Sequence, residues 1–219
     1  MHKKNLIVFD IDGTLTDSVQ LHQKAFTEML IEIGVEKITS EFKTYKHHTD
    51  SFICKEIYEL NQKKSLSTEK KNQFEDGLTQ KIKNIKIKEI EGAKKLVKFL
   101  EDKTDFGVCY ATGSLRRPAK FKLKSIGIAF DEDQLIASND IYEREKIVLE
   151  AIEKAQNFYK TQKFGRIISI GDGLWDLMPA KKLRLEFIGI GSKNKEILID
   201  NGAKLVYENL TKINLFTEN

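Results

Sequence analysis

The sequence predicts an α/β fold: a doubly wound parallel sheet core with an inserted all-α cap subdomain. Short continuous apolar runs have the length of strands, and segments with apolar residues at helical spacing alternate with the later runs. Continuous apolar character is typical of parallel strands buried on both faces, and strand–helix–strand repetition is typical of doubly wound sheets. A long interval without a strand after the first run predicts the inserted subdomain.

Six apolar runs are the predicted strands of the sheet. They are Leu6–Phe9, Phe106–Ala111, Leu135–Ala137, Ile167–Ile170, Phe187–Ile190 and, more weakly, Leu205–Tyr207. Four segments near the later runs have helical spacing, and right-handed crossovers would place them on the faces of the sheet. These predicted helices are Ile90–Leu100, Arg117–Ile126, Ile147–Phe158 and Leu174–Leu183.

The interval between the first two strands contains helical patterns but no convincing strand. Apolar residues recur at helical spacing in Gln20–Ile33, Ser51–Leu60 and Thr68–Ile85. A crossover between parallel strands needs only about a dozen residues, so this interval is long enough for a subdomain. We therefore predict an α/β core at residues 1–17 and 89–219, with the helical cap at 18–88.

The composition is that of an ordinary soluble globular protein, with 40% apolar and 32% charged residues. Basic and acidic side chains number 37 and 33 and are mixed along the helical segments, which argues against a nucleic-acid partner. The first apolar run is shorter than a signal-peptide core of about 7–15 residues, and no run approaches a membrane span of about 20. Cys54 and Cys109 are too few for a disulfide framework. We expect a cytoplasmic protein, a monomer or small homo-oligomer without a membrane partner.

Two carboxylates follow the first predicted strand, where ligands bind in open α/β sheets. Asp10 and Asp12 would project to the same side of an extended segment. Because two close carboxylates repel unless a cation or a proton relieves them, this pair indicates Mg²⁺ binding or acid–base chemistry. The alternative is a polar loop in which Asp17 or Ser18 caps the next helix.

Two further strand ends carry polar segments. Thr112 offers a hydroxyl, and Gly113 and Ser114 offer backbone N–H groups, which together could hold an anion at a helix start. After the fourth strand, Asp172 and Asp176 lie four residues apart at a loop-to-helix junction, as in metal sites. The alternatives are an ordinary turn for the first segment and acidity that complements the helix dipole for the second.

These segments resemble the signature motifs of the haloacid dehalogenase superfamily. Asp10–Thr14 (DIDGT), Ala111–Gly113 (ATG), a basic residue near Arg144 and Gly171–Asp176 (GDGLWD) occur in the order typical of that superfamily. The resemblance spans roughly residues 6–190. The inserted helices resemble the cap of phosphoglycolate phosphatases and β-phosphoglucomutases, so the resemblance implies the same core-and-cap fold.

The resemblance also implies roles for the acidic residues. Asp10 would be the nucleophile that attacks phosphorus and forms an aspartyl phosphate. Asp12 would protonate the leaving alkoxide and then deprotonate the attacking water. Mg²⁺ would be held by Asp10, the main-chain carbonyl of Asp12 and Asp172, with Asp176 as outer support.

For the phosphate and substrate, the resemblance implies that Thr112 and the Gly113 amide hold the phosphoryl oxygens. The polar segment Tyr45–Ser51 resembles the loop that related caps lower over the active site, which makes His48 a candidate substrate-binding residue. The alternative is that Thr49 or Asp50 caps the following helix while the histidines face water.

The third motif departs from the common pattern of a lysine followed by proline. Alignment of the following helix places the lysine of relatives near Tyr142, which leaves Arg144 or Lys146 to supply the positive charge. Only one of these is expected to face the site, because residues two apart on a helix point in different directions. We favour Arg144, since it lies closer to the usual position and its guanidinium can bridge carboxylate and phosphate.

The predicted function is Mg²⁺-dependent hydrolysis of a phosphate monoester of a small phosphorylated metabolite. Asp12 favours phosphoryl transfer over dehalogenation, because a halide leaves without a proton whereas an alkoxide needs an acid. A phosphosugar mutase, which returns the phosphoryl group to substrate, is one alternative. A catalytically silent binding or regulatory protein is another, although the complete set of acidic and hydroxyl residues argues against it.

Overall fold

The computed structural model describes residues 2–38, 45–213 and 215. Residues 1, 39–44, 214 and 216–219, which the predicted core and cap boundaries include, lie outside the described residues. The strands are β1 (Asn5–Phe9), β2 (Thr16–Asp17), β3 (Lys88–Glu89), β4 (Phe106–Ala111), β5 (Leu135–Ile136), β6 (Ile167–Gly171), β7 (Glu186–Ile190) and β8 (Leu205–Tyr207). The helices are α1 (Val19–Glu32), α2 (Asp50–Gln62), α3 (Thr68–Lys83), α4 (Ala93–Lys103), α5 (Arg116–Ser125), α6 (Arg144–Phe158), α7 (Leu174–Lys182) and α8 (Lys195–Asp200).

Six strands form one parallel sheet in the order β5-β4-β1-β6-β7-β8. The first strand is central, and its alternate residues belong to two different apolar clusters. Ile7 and Phe9 pack with α4 and α5, whereas Leu6 and Val8 pack with α6. Helices therefore cover both faces of the sheet, which confirms the predicted doubly wound fold with its helical cap.

The cap helices α1, α2 and α3 have an apolar cluster of their own, which includes Leu30, Ile57 and Leu78. Leu115, at the start of α5 in the core, belongs to the same cluster, so the cap packs directly on the core. The two connections to the cap are held together because β2 and β3 pair antiparallel, Thr16 opposite Glu89.

Three short elements, β2, β3 and α8, were absent from the prediction. A strand of two residues shows no periodicity, and α8 buries only Leu198, so neither leaves a pattern in the sequence. The predicted start of α4 at Ile90 is also wrong. The helix begins at Ala93, after Gly92 with a φ of +89°, while the Ile90 N–H donates to the Leu15 carbonyl at 2.9 Å.

No helix within the described ranges is both long and apolar enough to cross a membrane.

Two leucines of the cap helices provide a test of the cap cluster. Leu78 is fully buried, whereas Leu60 is 73% exposed. Leu78→Ala should lower the free energy of unfolding by about 2–5 kcal/mol, because it removes buried methyl groups and leaves a cavity. Leu60→Ala, the matched control, should change it by less than about 0.5 kcal/mol. Chemical denaturation measures both, and similar losses in the two variants would contradict this packing.

Candidate active site

A cavity of about 170 Å³ lies between the cap and the carboxyl ends of the central strands. Most of the predicted site residues line it: Asp10, Asp12, His48, Thr112, Gly113, Ser114 and Arg144. Asp172 is not a lining residue, but its carboxylate lies close to that of Asp10. The structure therefore brings together residues from β1, β4, β6, α6 and the cap.

Three carboxylates form a buried cluster at this edge of the sheet. One oxygen from each of Asp10, Asp172 and Asp176 lies within 4.8 Å of the others. Asp176 lies in the first turn of α7, where its Oδ2 accepts hydrogen bonds from the N–H groups of Asp172 (3.1 Å) and Gly173 (3.3 Å). The indole of Trp175 donates to Asp172 Oδ1 at 3.2 Å. The loop after β6 thus fixes two acidic side chains opposite the end of β1.

The cluster carries more negative charge than its surroundings balance. Burial raises the pKa of Asp10 well above its ordinary value; Asp176 and Asp172 raise it further, and Arg144 opposes them. Burial, Asp176 and Asp12 raise the pKa of Asp172 to about 8. Burial also raises the pKa of Asp176, although Arg144 acts in the opposite direction. The raised pKa values indicate that the cluster either holds protons or takes up a further cation.

The donor set fits a small divalent cation that prefers oxygen ligands, as Mg²⁺ does. Gly13 supports this arrangement, because its φ of +83° lies in the left-handed region. A Cβ at this position would collide with the Asp172 carboxylate. The glycine therefore allows the chain after β1 to pass directly against the carboxylate cluster.

Arg144 is the cation that pairs with the cluster. Its Nη2 donates to Asp10 Oδ1 at 3.1 Å and also to Asp176 Oδ1, and the side chain is buried. Lys146 is exposed and pairs instead with Glu143 at 2.9 Å. Of the two candidates for the third motif, the structure places Arg144 in the site and Lys146 on the surface.

The carboxylate of Asp12 has hydrogen-bond partners of its own, Lys122 and Ser18. Its Oδ2 accepts a hydrogen bond from Lys122 Nζ at 2.7 Å, and its Oδ1 accepts one from the Ser18 hydroxyl. Burial would raise the pKa of Asp12, but the charge of Lys122 and these hydrogen bonds hold that pKa below its ordinary value. The proposed metal contact of Asp12 was its main-chain carbonyl, and it stays a prediction.

Lys122, which contacts Asp12, is not among the site residues predicted from the sequence, and neither is His22, which contacts Lys122. Lys122 is fully buried, and its Nζ also contacts His22 Nδ1 at 2.9 Å and Ser114 Oγ at 3.2 Å. One signal was available: Lys122 lies on the same face of α5 as the buried Ala119 and next to Leu123. A lysine within an apolar helical stripe is rarely buried without a partner.

The segment after β4 provides hydrogen-bond donors at the cavity. Thr112 is buried, and its Oγ1 accepts the Ser114 N–H at 3.1 Å, which leaves the hydroxyl hydrogen without an acceptor among the described residues. A Cβ at Gly113 would lie 3.0 Å from Arg144 Nη1. The Thr112 hydroxyl, the Gly113 backbone and the Arg144 guanidinium thus converge where an anion would bind.

The alternative interpretation of these segments as helix caps does not hold at Ser18 or Thr49. Ser18 and Thr49 precede α1 and α2, but neither side chain makes a capping hydrogen bond. Ser18 bonds to Asp12, and Thr49 donates to the Tyr142 carbonyl at 3.1 Å. Each hydroxyl is therefore satisfied by a partner outside the first turn of the helix that it precedes. Asp50 likewise turns to the core, where its Oδ2 accepts the Leu115 N–H at 3.0 Å.

His48 lies at the rim of the cavity rather than in open solvent. Its ring is half-buried beside that of Trp175, with 5.7 Å between the ring centroids. Burial and the nearby Arg144 lower the pKa of His48, so the imidazole is neutral at pH 7 and presents one donor and one acceptor.

Replacement of Asp172 by asparagine should stabilise the metal-free protein at alkaline pH. The raised pKa of Asp172 means that the folded state binds a proton more tightly than the unfolded state. Stability is therefore lost as pH rises from the ordinary value of 3.8 towards about 8. At pH 8 without metal, Asp172→Asn should raise Tm by several degrees, since 1 kcal/mol corresponds to about 2–4 °C.

The same melts with Mg²⁺ should stabilise the wild type and leave the Asp172→Asn protein almost unchanged. Asp200→Asn, which changes an exposed carboxylate at the end of α8, is the matched control and should behave as the wild type. A metal-free Asp172→Asn protein that melts below the wild type at pH 8 would contradict the charge imbalance.

Comparisons with known proteins agree with this geometry. A family model for haloacid dehalogenase-like hydrolases matches residues 4–184. A family IA, variant 3 hydrolase from Entamoeba histolytica HM-1:IMSS is 22% identical, with a TM-score of 0.72 over 96% of both chains. CbbY from Rhodobacter sphaeroides is 16% identical, with a TM-score of 0.71 over 93% of both chains.

A β-phosphoglucomutase from Clostridium difficile is 19% identical, with a TM-score of 0.69 over 97% of this chain and 94% of that one. At these identities the likeness shows a shared fold, and it agrees with the resemblance to capped phosphatases and mutases found in the motifs. Because the family model covers most of the chain and all of the strand ends that build the site, this chain belongs to the haloacid dehalogenase-like hydrolases.

Proposed function

We propose that the chain is a Mg²⁺-dependent phosphatase, which hydrolyses a phosphate monoester of a small metabolite through an aspartyl phosphate on Asp10. The observation that carries the proposal is the position of Asp10. Its buried carboxylate belongs to the acidic cluster, lines the same cavity as Thr112 and Gly113, and accepts a hydrogen bond from Arg144 at 3.1 Å.

The acidic cluster would hold the metal ion. Asp10 and Asp172 would be ligands together with the Asp12 carbonyl, and Asp176 would support them from behind. When bound, Mg²⁺ supplies positive charge that allows an anionic phosphate to approach a carboxylate. Arg144 contributes a second positive charge at the same place, because it already bridges Asp10 and Asp176.

Two half-reactions follow from the side chains. First, an oxygen of Asp10 attacks phosphorus, the bond from phosphorus to the ester oxygen breaks, and Asp12 donates a proton to the departing alkoxide. Then water attacks the aspartyl phosphate as Asp12 takes its proton, which releases phosphate and restores Asp10. Thr112 and the Gly113 amide hold the phosphoryl oxygens throughout.

The free protein keeps Asp12 ionised, since Lys122 donates to it at 2.7 Å and lowers its pKa. A bound phosphate places negative charge beside Asp12 and thereby favours the protonated form that the first half-reaction requires. After Asp12 has given up its proton, Lys122 stabilises the carboxylate, which acts as the base in the second half-reaction.

A phosphosugar mutase is the second candidate. The cap meets the anion-binding segment directly, because the Asp50 N–H donates to the Gly113 carbonyl at 2.8 Å. A cap that excludes water from the aspartyl phosphate would favour transfer back to a sugar phosphate over hydrolysis. Solved relatives include both a β-phosphoglucomutase and a CbbY variant in complex with xylulose-1,5-bisphosphate.

A screen of phosphorylated metabolites, with and without Mg²⁺, tests the proposed function. Wild-type protein should release phosphate only with Mg²⁺. Ca²⁺ should inhibit, because its larger coordination shell misplaces the nucleophile.

Asp10→Asn should retain less than a few per cent of the wild-type rate with unchanged circular dichroism, since an amide is a poor nucleophile. Full activity after chelation, or an active Asp10→Asn protein, would refute the mechanism; isomerised sugar phosphate without released phosphate would identify a mutase.

The two basic residues of the third motif form a matched pair of variants. Arg144→Ala should lower kcat on the order of 10²–10³-fold, the usual effect of removing one preorganised donor from a transition state. Lys146→Ala should change kcat by less than about twofold, because an exposed ion pair contributes little. Both proteins are compared by melting with Mg²⁺ to confirm folding. A folded, active Arg144→Ala protein would show that the third motif has been misplaced.

A further inference from the structure

A line of hydrogen bonds runs from the cap to Asp12. Asp50, at the start of α2, contacts His22 Nε2 at 2.9 Å. The other ring nitrogen of His22, on α1, contacts Lys122 Nζ at 2.9 Å, and Lys122 contacts Asp12 at 2.7 Å. The first two residues belong to the cap and the last two to the core.

The three hydrogens of the Lys122 ammonium determine which atoms donate and which accept along this line of hydrogen bonds. The ammonium of Lys122 has three hydrogens and no lone pair. It meets three partners: Asp12 Oδ2, His22 Nδ1 and Ser114 Oγ. His22 Nδ1 therefore accepts, which makes the imidazole neutral with its hydrogen on Nε2. That hydrogen points to the Asp50 carboxylate.

Asp50 also braces the segment that would hold phosphate. Its Oδ2 accepts the Leu115 N–H at 3.0 Å, and its own N–H donates to the Gly113 carbonyl at 2.8 Å. A carboxylate can accept from His22 and Leu115 together, whereas an amide would present a donor to one of them. The Asp50 carboxylate thus accepts hydrogen bonds from both His22 and Leu115.

We propose that Asp50 is a positioning residue of the catalytic site. Through His22 and Lys122 it orients the carboxylate of Asp12 for proton transfer. The inference rests on the proposed phosphatase function, and it assigns to Asp50 a role beyond closing the cavity.

The neighbours of Asp50 also join the cap to the core, but not to catalytic groups. Thr49 donates to the Tyr142 carbonyl at 3.1 Å, and Ser51 donates to the Ser138 carbonyl at 2.5 Å. Three successive residues therefore dock α2 on the core, and of these Asp50 alone connects to Asp12 through the contacts described above. Ser51→Ala is accordingly a matched control for loss of docking.

The test compares two substrates that differ in their need for an acid. An alkyl phosphate requires a proton on its leaving oxygen, whereas p-nitrophenolate leaves readily without one. In Asp50→Asn, kcat/KM for the alkyl ester should fall on the order of 10- to 100-fold further than kcat/KM for p-nitrophenyl phosphate, the scale expected for a misplaced general acid. Ser51→Ala should leave the ratio of the two constants within about twofold of wild type. Equal losses on both esters in Asp50→Asn would overturn the proposal.

His22→Gln interrupts the line of hydrogen bonds between Asp50 and Lys122 but leaves the bonds of Asp50 to Gly113 and Leu115 in place. It should therefore change the ratio of kcat/KM for the two esters even if Asp50→Asn folds poorly. The double variant should be no worse than the more impaired single variant, because both changes interrupt one network. Independent ratios that multiply in the double variant would overturn the proposal.

Nitrogen-15 NMR of the imidazoles gives a readout that does not depend on activity. His22 should carry its hydrogen on Nε2 in the wild type, assigned by comparison with His22→Gln, and should lose that fixed tautomer in Asp50→Asn. A hydrogen on Nδ1 overturns the line of hydrogen bonds. Wild-type inactivity on both esters would overturn the proposed function and any positioning role with it, whereas an active wild type with equal losses overturns the positioning alone.

Discussion

The charge imbalance at the carboxyl end of the sheet is the constraint on which the rest of the site depends. Asp10, Asp172 and Asp176 bring three buried carboxylates together, and Arg144 is the cation that pairs with them. Burial of unpaired charge is strongly unfavourable, so this arrangement is stable only if protons or a further cation occupy it. A site of this kind could bind a divalent cation.

Arg144 and Lys122 pair with different acidic residues, and these residues therefore have different electrostatic environments. Asp10 and Asp12 are two residues apart, yet the pKa of Asp10 is raised by burial and by Asp176, whereas Lys122 holds the pKa of Asp12 below its ordinary value. Pairs of carboxyl groups whose environments separate their pKa values commonly take different roles in a reaction. This difference is consistent with the proposal that Asp10 is the nucleophile and Asp12 the general acid and base.

The cap contributes more than a cover for this chemistry. Its own apolar cluster makes it a packed unit. Hydrogen bonds of 2.8 and 3.0 Å join Asp50, in the first turn of α2, to Gly113 and Leu115 after β4. Since His22 and Asp50 come from the cap while Asp12 and Lys122 come from the core, the complete network exists only when the two subdomains are docked.

The sequence by itself determined the strands, most of the helices and the strand ends at which the motifs lie. These follow from local patterns: continuous apolar runs, helical spacing and short polar segments such as Asp10–Thr14. The inserted cap followed from the length of one interval. The sequence did not predict the start of α4 after Gly92, because it depends on a single backbone conformation. It did not predict the short strands β2 and β3, because they depend on one or two ladder hydrogen bonds.

Only the tertiary structure decided which polar side chains meet. Lys122 and Asp12 are 110 residues apart, and Arg144 and Asp10 are 134 apart, so no local pattern could pair them. The choice of Arg144 over Lys146 in the site rests on the direction in which the first turn of α6 faces. Thr49 and Asp50 resemble helix caps in the sequence, yet each has a hydrogen-bond partner far away in the chain. A buried polar group is satisfied by whatever the packed chain brings within reach, and sequence neighbours are only one source of such partners.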